Sequence, residues 1–242
     1  MSLLTNWFPS LRSLAGHLAV LVLFLGPLSA SAQKLYVFFP SEVKPIVMQE
    51  KLGAQCSEAT VTAFARYNDF AMMLRATPPD FIIAKPDLVA QLPDFSVVAN
   101  GLNNGKKTEK YVIMGVDAQV KKSDITPETV LGLVDFLGRR KTISFARDLL
   151  GIETRISRVA KLEDLLPLLT FKQAKAVILA EREVQYFKQI SNLKFVVSSI
   201  PDADVGIVVL AQKKGADGDA VIKAVKSFDA ELNAILGVQK WN

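Results

Sequence analysis

The chain has 242 residues, and its 29 Lys and Arg against 24 Asp and Glu give a formal net charge of +5. This small and dispersed excess argues against a nucleic-acid-binding surface. The single Cys excludes an intramolecular disulfide, and one Cys with one His excludes a His/Cys metal cluster and catalysis by a Ser-His-Asp or Cys-His arrangement.

The first 32 residues have the features of a secretory signal peptide. An apolar run at Leu18–Leu25 follows a segment whose only charged side chain is Arg12, and the sequence Ala-Ser-Ala at 30–32 precedes Gln33. Because Gln and not Cys follows the expected cleavage site, a lipid anchor is not indicated. We expect export and a mature chain that begins at Gln33; an uncleaved membrane anchor is the alternative.

Short β-rich segments alternate with helical patterns in the first half of the mature chain, which predicts parallel strands covered by helices. Strands are predicted at 35–39, 60–67 and 80–84, and the helices after them at 45–53, 70–76 and 88–92. The Asn/Gly/Lys-rich segment 100–108 predicts an exposed loop.

The same alternation resumes in the second half. Strands are predicted at 111–116, 130–136, 155–159, 176–179, 193–198 and 205–210. Helices are predicted from Gly138 to Leu150, at 162–169 and at 182–190, and one long closing helix at 219–236 has an apolar face. The fold class predicted from this order is α/β.

Candidate ligand-binding residues follow from one rule: open parallel sheets bind ligands at the carboxyl ends of their strands, where loops lead into helix N-termini. The residues at these positions are Ser41, Tyr67, Asn68, Asp69, Lys85, Gly138, Arg139, Arg140, Thr142 and Glu181. No Gly-rich dinucleotide fingerprint or phosphate-binding loop occurs, so we expect neither a cofactor nor a metal.

The turn at 138–142 carries the sharpest signal among these candidates. Glycine lets backbone N–H groups approach an anion, a helix N-terminus favours negative charge, and Arg binds an oxyanion in a bidentate manner. The turn therefore predicts an oxyanion pocket at Arg139 or Arg140. The alternative is a plain strand-to-helix turn with solvated basic residues. Structural explanations also stay open for Asn68 and Asp69 as helix caps and for Lys85 as a surface cation.

Four segments resemble those of small periplasmic solute-binding proteins. They are Leu35–Pro40, Phe64–Asp69, Pro79–Pro86 and Leu133–Arg139. The chain is most similar to the phosphate/phosphonate-type substrate-binding proteins of ABC transporters, which have the type 2 periplasmic-binding fold. The resemblance implies two lobes, each a mostly parallel sheet flanked by helices, and a periplasmic protein, not an enzyme, that captures a small anionic or polar solute between them.

The resemblance also implies a domain layout. Lobe one would comprise 33–113 and 206–242, and lobe two 114–205, with crossover strands at 111–116 and 205–210. Tyr67, Asn68 and Ser41 would contact the solute from lobe one. Hinge closure would couple binding to recognition of the protein, which we expect to be a monomer, by a transporter permease in the membrane.

Two other classes of function remain open. An enzyme on the same fold would take its catalytic base from Asp69, Glu42 or Glu181. A sensory subunit would dock on a membrane receptor, and it would show a shallow cleft and an apolar patch on one lobe.

Overall fold

The computed structural model describes residues 33–242, so the predicted signal peptide lies outside the described residues. Within that range, no helix is both long enough and apolar enough to span a bilayer. The strands in chain order are β1 (Gln33–Phe38), β2 (Ala59–Ala63), β3 (Phe81–Ala84), β4 (Phe95–Leu102), β5 (Thr108–Val116), β6 (Val130–Val134), β7 (Arg155–Val159), β8 (Ala176–Ala180), β9 (Phe195–Gly206), β10 (Val209–Lys213) and β11 (Lys240–Trp241).

Helices cover the sheets that these strands form. They are α1 (Pro45–Gln55), α2 (Tyr67–Ala76), α3 (Pro86–Val89), α4 (Arg139–Leu150), α5 (Leu165–Thr170), α6 (Val184–Ile190), α7 (Asp219–Lys226) and α8 (Ala230–Ile235). Two short 3-10 turns occupy Lys122–Asp124 and Glu181–Glu183. The α/β class is confirmed.

The strands form two sheets, which define the two lobes. The six-stranded sheet of lobe one has the order β11-β4-β10-β3-β1-β2, and the five-stranded sheet of lobe two has the order β7-β6-β8-β5-β9. The chain changes sheet at 103–107 and again at 207–208, the two crossover segments. The strand β5 therefore belongs to lobe two along its whole length, so the predicted boundary at 113 falls inside it.

Both sheets are mixed and not mostly parallel. In lobe one, β1 runs parallel to β2 and β3, but β10 runs antiparallel to β3 and β4. In lobe two, β6 runs parallel to β7 and β8, whereas β5 runs antiparallel to β8 and β9. These antiparallel pairs involve β5 and β10, the first strand after each crossover, and each of them runs opposite to both of its neighbours in the sheet.

Apolar runs explain the central strands. Leu35 and Val37 of β1 pack beneath α1 and α7, while Tyr36 and Phe38 pack on the other face beneath α2. A strand buried on both faces needs a continuous apolar sequence, and this segment has one. The C-terminal Val221 and Leu232 share a core cluster with Leu35, so the C-terminal segment packs on the sheet of the N-terminal lobe.

Several predicted elements differ in the structure. The closing helix is two helices, because the side chain of Asp229 accepts a hydrogen bond from the Leu232 N–H at 2.8 Å and caps a new helix. The strand β9 covers most of the strand predicted at 193–198 and the start of the one predicted at 205–210, and β10 begins only at Val209. The strand β9 continues past Pro201 through a bulge where Asp202 has a φ of 57°. The predicted loop at 100–108 begins within β4.

Candidate ligand site between the lobes

A cavity of about 560 Å³ opens between the lobes. Its lining comes from Phe38–Ile46, Met48, Phe64 and Ala65 of lobe one and from Val134, Lys161–Glu163 and Tyr186 of lobe two. These segments follow the carboxyl ends of β1, β2, β6 and β7, where open α/β sheets bind ligands. Ser41 lines this cavity, and its Oγ accepts the Val43 N–H at 3.1 Å.

The wall of this cavity is mostly apolar, and its charges balance. The charged residues in the lining are Glu42, Lys44, Lys161 and Glu163, two carboxylates and two ammonium groups. Lys161 and Glu163 lie 3.5 Å apart and form an ion pair. Burial, with the charges of Glu163 and Glu42, raises the pKa of Tyr186 above its usual value of 10, so its hydroxyl remains a donor at neutral pH.

The predicted oxyanion pocket at the start of α4 is a contact between the lobes. Gly138 precedes the helix with a φ of 82°, which a glycine adopts readily. A Cβ at this position would lie 2.7 Å from Cε1 of Tyr67, so the Tyr67 ring of lobe one packs directly on the Gly138 backbone of lobe two. Arg139 and Arg140 lie exposed in the first turn of α4.

The chain places one of its own carboxylates at the start of α4. The buried Thr142 hydroxyl donates to Oδ1 of Asp135 at 2.7 Å and accepts the Leu137 N–H at 3.2 Å. Arg158 forms an ion pair with Asp135. Thr142, predicted as a ligand contact, therefore binds Asp135 instead.

Tyr67 and Asn68 reach a smaller polar cavity between the lobes, of about 180 Å³, which Asp135 and Arg158 also line. Both lie in the first turn of α2, whose N-cap residue is Arg66. Asn68 and Asp69 are exposed, and neither caps the helix, so the alternative that treated them as caps is wrong. The negative charge of Asp69 in the first turn still complements the helix dipole.

An apolar contact joins the lobes next to these cavities. Phe136 and Leu137, in the turn between β6 and α4, are only 1% and 4% exposed. They pack in the same cluster as Phe38 and Phe70 of lobe one. The sequence predicts only the end of a strand here, although two large apolar residues directly before a glycine turn were the available signal for a contact.

Lys85 lies in a buried ion network at the crossovers and does not line the 560 Å³ cavity. It forms an ion pair with Glu109, and Arg182 Nε lies 2.9 Å from Glu109 Oε2. Burial works to raise the pKa of Glu109, but the charges of Lys85 and Arg182 outweigh it and hold that pKa below 4.5. Glu181, beside this network, is exposed.

No family model and no curated protein sequence matches this chain. Solved structures do match its fold. A binding protein of an ABC phosphonate transporter from Pseudomonas aeruginosa superposes with a TM-score of 0.60 at 12% identity, over 87% of this chain and 81% of that one. The amino acid ABC transporter substrate-binding protein AbpA from Streptococcus pneumoniae, bound to L-arginine, gives 0.59 at 13% identity, over 85% and 93%.

A third structure, the VFT2 domain of BvgS from Bordetella pertussis, gives a TM-score of 0.58 at 14% identity, over 85% of this chain and 91% of that one. The fold is the type 2 periplasmic-binding fold. Because all three sequence identities are low, the likeness establishes this fold but does not identify a solute.

Proposed function

We propose that the protein is an exported solute-binding protein that captures a small solute in the 560 Å³ cavity between its lobes. The observation that carries this proposal is the position of that cavity, which both lobes line at the carboxyl ends of their strands. Closure of the lobes on a solute would then present one shape to a membrane partner, either an ABC transporter permease or a receptor.

The cavity favours a solute with an apolar body and balanced charge over a phosphate-like anion. Part of the cavity wall is buried and apolar, at Phe38, Phe39, Met48 and Leu162. The four charged side chains of the lining carry no net charge. The start of α4, where an oxyanion was expected, is already next to the carboxylate of Asp135. A doubly charged anion would therefore gain little compensation for its desolvation.

Titration calorimetry on the purified protein tests this proposal with L-leucine and L-phenylalanine against phosphate and methylphosphonate. We expect an apolar zwitterion to bind and the two anions to bind at least about tenfold more weakly, which corresponds to about 1.4 kcal/mol. Native mass spectrometry of protein purified without refolding would identify a retained solute directly. Tighter binding of phosphate or methylphosphonate would contradict the proposed solute class.

Two matched variants locate the site. Ile46 lines the cavity and is 58% exposed, while Met72 is 56% exposed on α2 and is not in the lining. Ile46→Arg should weaken zwitterion binding by about tenfold or more because it brings a charge to the apolar mouth. Met72→Arg should leave affinity unchanged. Equal effects of the two variants would place the solute elsewhere.

The contact made by Phe136 and Leu137 favours a second candidate function. Because this contact already joins the lobes through an apolar core, the protein would act as a closed unit that docks on a membrane receptor and needs no solute to close. The two functions differ in one measurable respect: the arrangement of the lobes in the absence of solute.

A further inference from the structure

The ion network at the crossovers ties lobe one to both ends of the lobe-two chain. Lys85 directly follows β3 of lobe one, and its ammonium pairs with Glu109, at the start of β5. The same ammonium donates to the Gly206 carbonyl oxygen, at the end of β9, at 3.0 Å. Lys85 is only 1% exposed, so one buried cation of lobe one holds the residues next to both crossover segments.

Close packing surrounds this network. A Cβ at Gly237 of lobe one would lie 2.8 Å from Cζ of Arg182 in lobe two, so the lobe-one backbone packs directly on that guanidinium. Pro86 packs in the same way on Gly206. The Tyr111 ring lies beneath Lys85, with Nζ 5.7 Å from the ring centroid, which adds a cation–π contact. A rotation of the lobes about the crossovers must therefore disturb these contacts.

Glu183 is the weakly paired member of the network. Its side chain is almost fully buried, and its Oε2 accepts the Ala180 N–H at 3.1 Å. Lys85 and Arg182 pair mainly with Glu109, whereas Arg182 Nη2 lies 3.7 Å from Glu183 Oε1. This arrangement leaves one buried carboxylate with incomplete compensation.

The charges that face Glu183 come from three elements. They are Arg182 of its own turn, Glu109 of β5 and Lys85 of lobe one. Burial raises the pKa of Glu183 from 4.5 to about 7; Arg182 opposes this shift and Glu109 adds to it. Tyr111 of β5, whose own pKa burial raises well above 10, stays neutral in this range.

We propose that this network is a proton-sensitive latch at the hinge, in which a proton on Glu183 stabilises the closed arrangement of the lobes and its loss favours the open one. Opening separates Lys85 and Gly237 from the turn that carries Arg182 and Glu183 and lets water reach the carboxylate. The closed state therefore binds the proton more tightly. The latch is independent of whether any solute binds.

The sign of the effect follows from linkage. A carboxyl whose pKa is about 7 in the closed state and 4.5 when solvated stabilises the closed state most below pH 4.5, and this contribution is lost as the pH rises through 7. The closed-to-open ratio should therefore rise about tenfold between pH 8 and pH 6.

Pulsed electron paramagnetic resonance on the solute-free protein tests the latch. Spin labels at Glu50→Cys on α1 and Gln185→Cys on α6, both exposed positions on opposite lobes, report the closed and open populations, with the buried Cys56 replaced by Ala. We expect the closed fraction to increase on acidification from pH 8 to pH 6. An unchanged distance distribution over this interval would overturn the proposal.

Glu183→Gln should keep the lobes closed at both pH values, because the amide resembles the protonated carboxyl. Glu181→Gln, at an exposed position of the same 3-10 turn, is the matched control and should retain the wild-type pH dependence. Carbon-13 titration of labelled glutamate side chains in the wild type provides a readout that needs no variant: one carboxyl should titrate between pH 6 and 8. Titration of all carboxyls below pH 6 would overturn the latch.

Discussion

At the scale of single residues, Asp135 decides what the start of α4 can do. Its carboxylate accepts the Thr142 hydroxyl and pairs with Arg158, so the negative charge that suits a helix N-terminus comes from the chain itself. The sequence indicated Thr142 and its turn as polar and near a helix start, which is where they lie. It could not indicate their partner, because Asp135 and Arg158 come together only when β6 and β7 pair.

Thr142→Val tests the structural role of this hydroxyl. The variant preserves shape but leaves the Asp135 carboxylate and the Leu137 N–H without this partner, so the free energy of unfolding should fall by about 1–3 kcal/mol. Urea unfolding measures the change. Thr170→Val, at an exposed position where the hydroxyl only bonds to the Leu166 carbonyl, should change stability by less than about 0.5 kcal/mol. Equal losses in both variants would contradict this role.

At the scale of elements, the sequence predicted the helix and strand ends that depend on residues close to them in the chain. The strand at 155–159 and the end of α4 at Leu150, followed by Gly151 with a φ of 64°, are as expected. Apolar periodicity across 219–236 did not distinguish one helix from two, because Phe228 and Leu232 remain on the core side after the cap at Asp229. The short strand β11 was not predicted, because its two residues adopt the strand conformation by pairing with β4.

Trp241 connects the last strand to the core, and its substitution tests that connection. Its Nε1 donates to Asn233 Oδ1 at 3.1 Å, and Asn233 donates in turn to the Phe228 carbonyl at 2.9 Å. Trp241→Ala should lower the free energy of unfolding by about 3–5 kcal/mol. Trp241→Phe, which keeps a ring but loses the donor, should cost less, about 1–3 kcal/mol. Circular dichroism during urea unfolding would measure both, and an unchanged midpoint for Trp241→Ala would show that the C-terminal strand contributes nothing.

At the scale of the whole molecule, three features lie between the lobes. The cavity beside Tyr186 offers space for a solute, the Phe136–Leu137 contact joins the lobes through apolar packing, and the Lys85 network ties the crossovers. The resemblance to solute-binding proteins implied two lobes whose strand ends face each other. The sequence did not predict how these lobes meet, since the apolar contact and the ion network both depend on residues distant in sequence.

Phe136→Ala separates the two candidate functions. Phe136 packs from lobe two into a lobe-one cluster, so its truncation removes apolar contact that exists only when the lobes are closed. If the lobes close without a solute, small-angle scattering should show a closed wild type and a more open Phe136→Ala variant. Phe171→Ala, at a side chain that is 70% exposed, should scatter as the wild type does. A wild type that is open until an apolar zwitterion is added would instead favour solute capture, because the contact made by Phe136 would then depend on a bound solute.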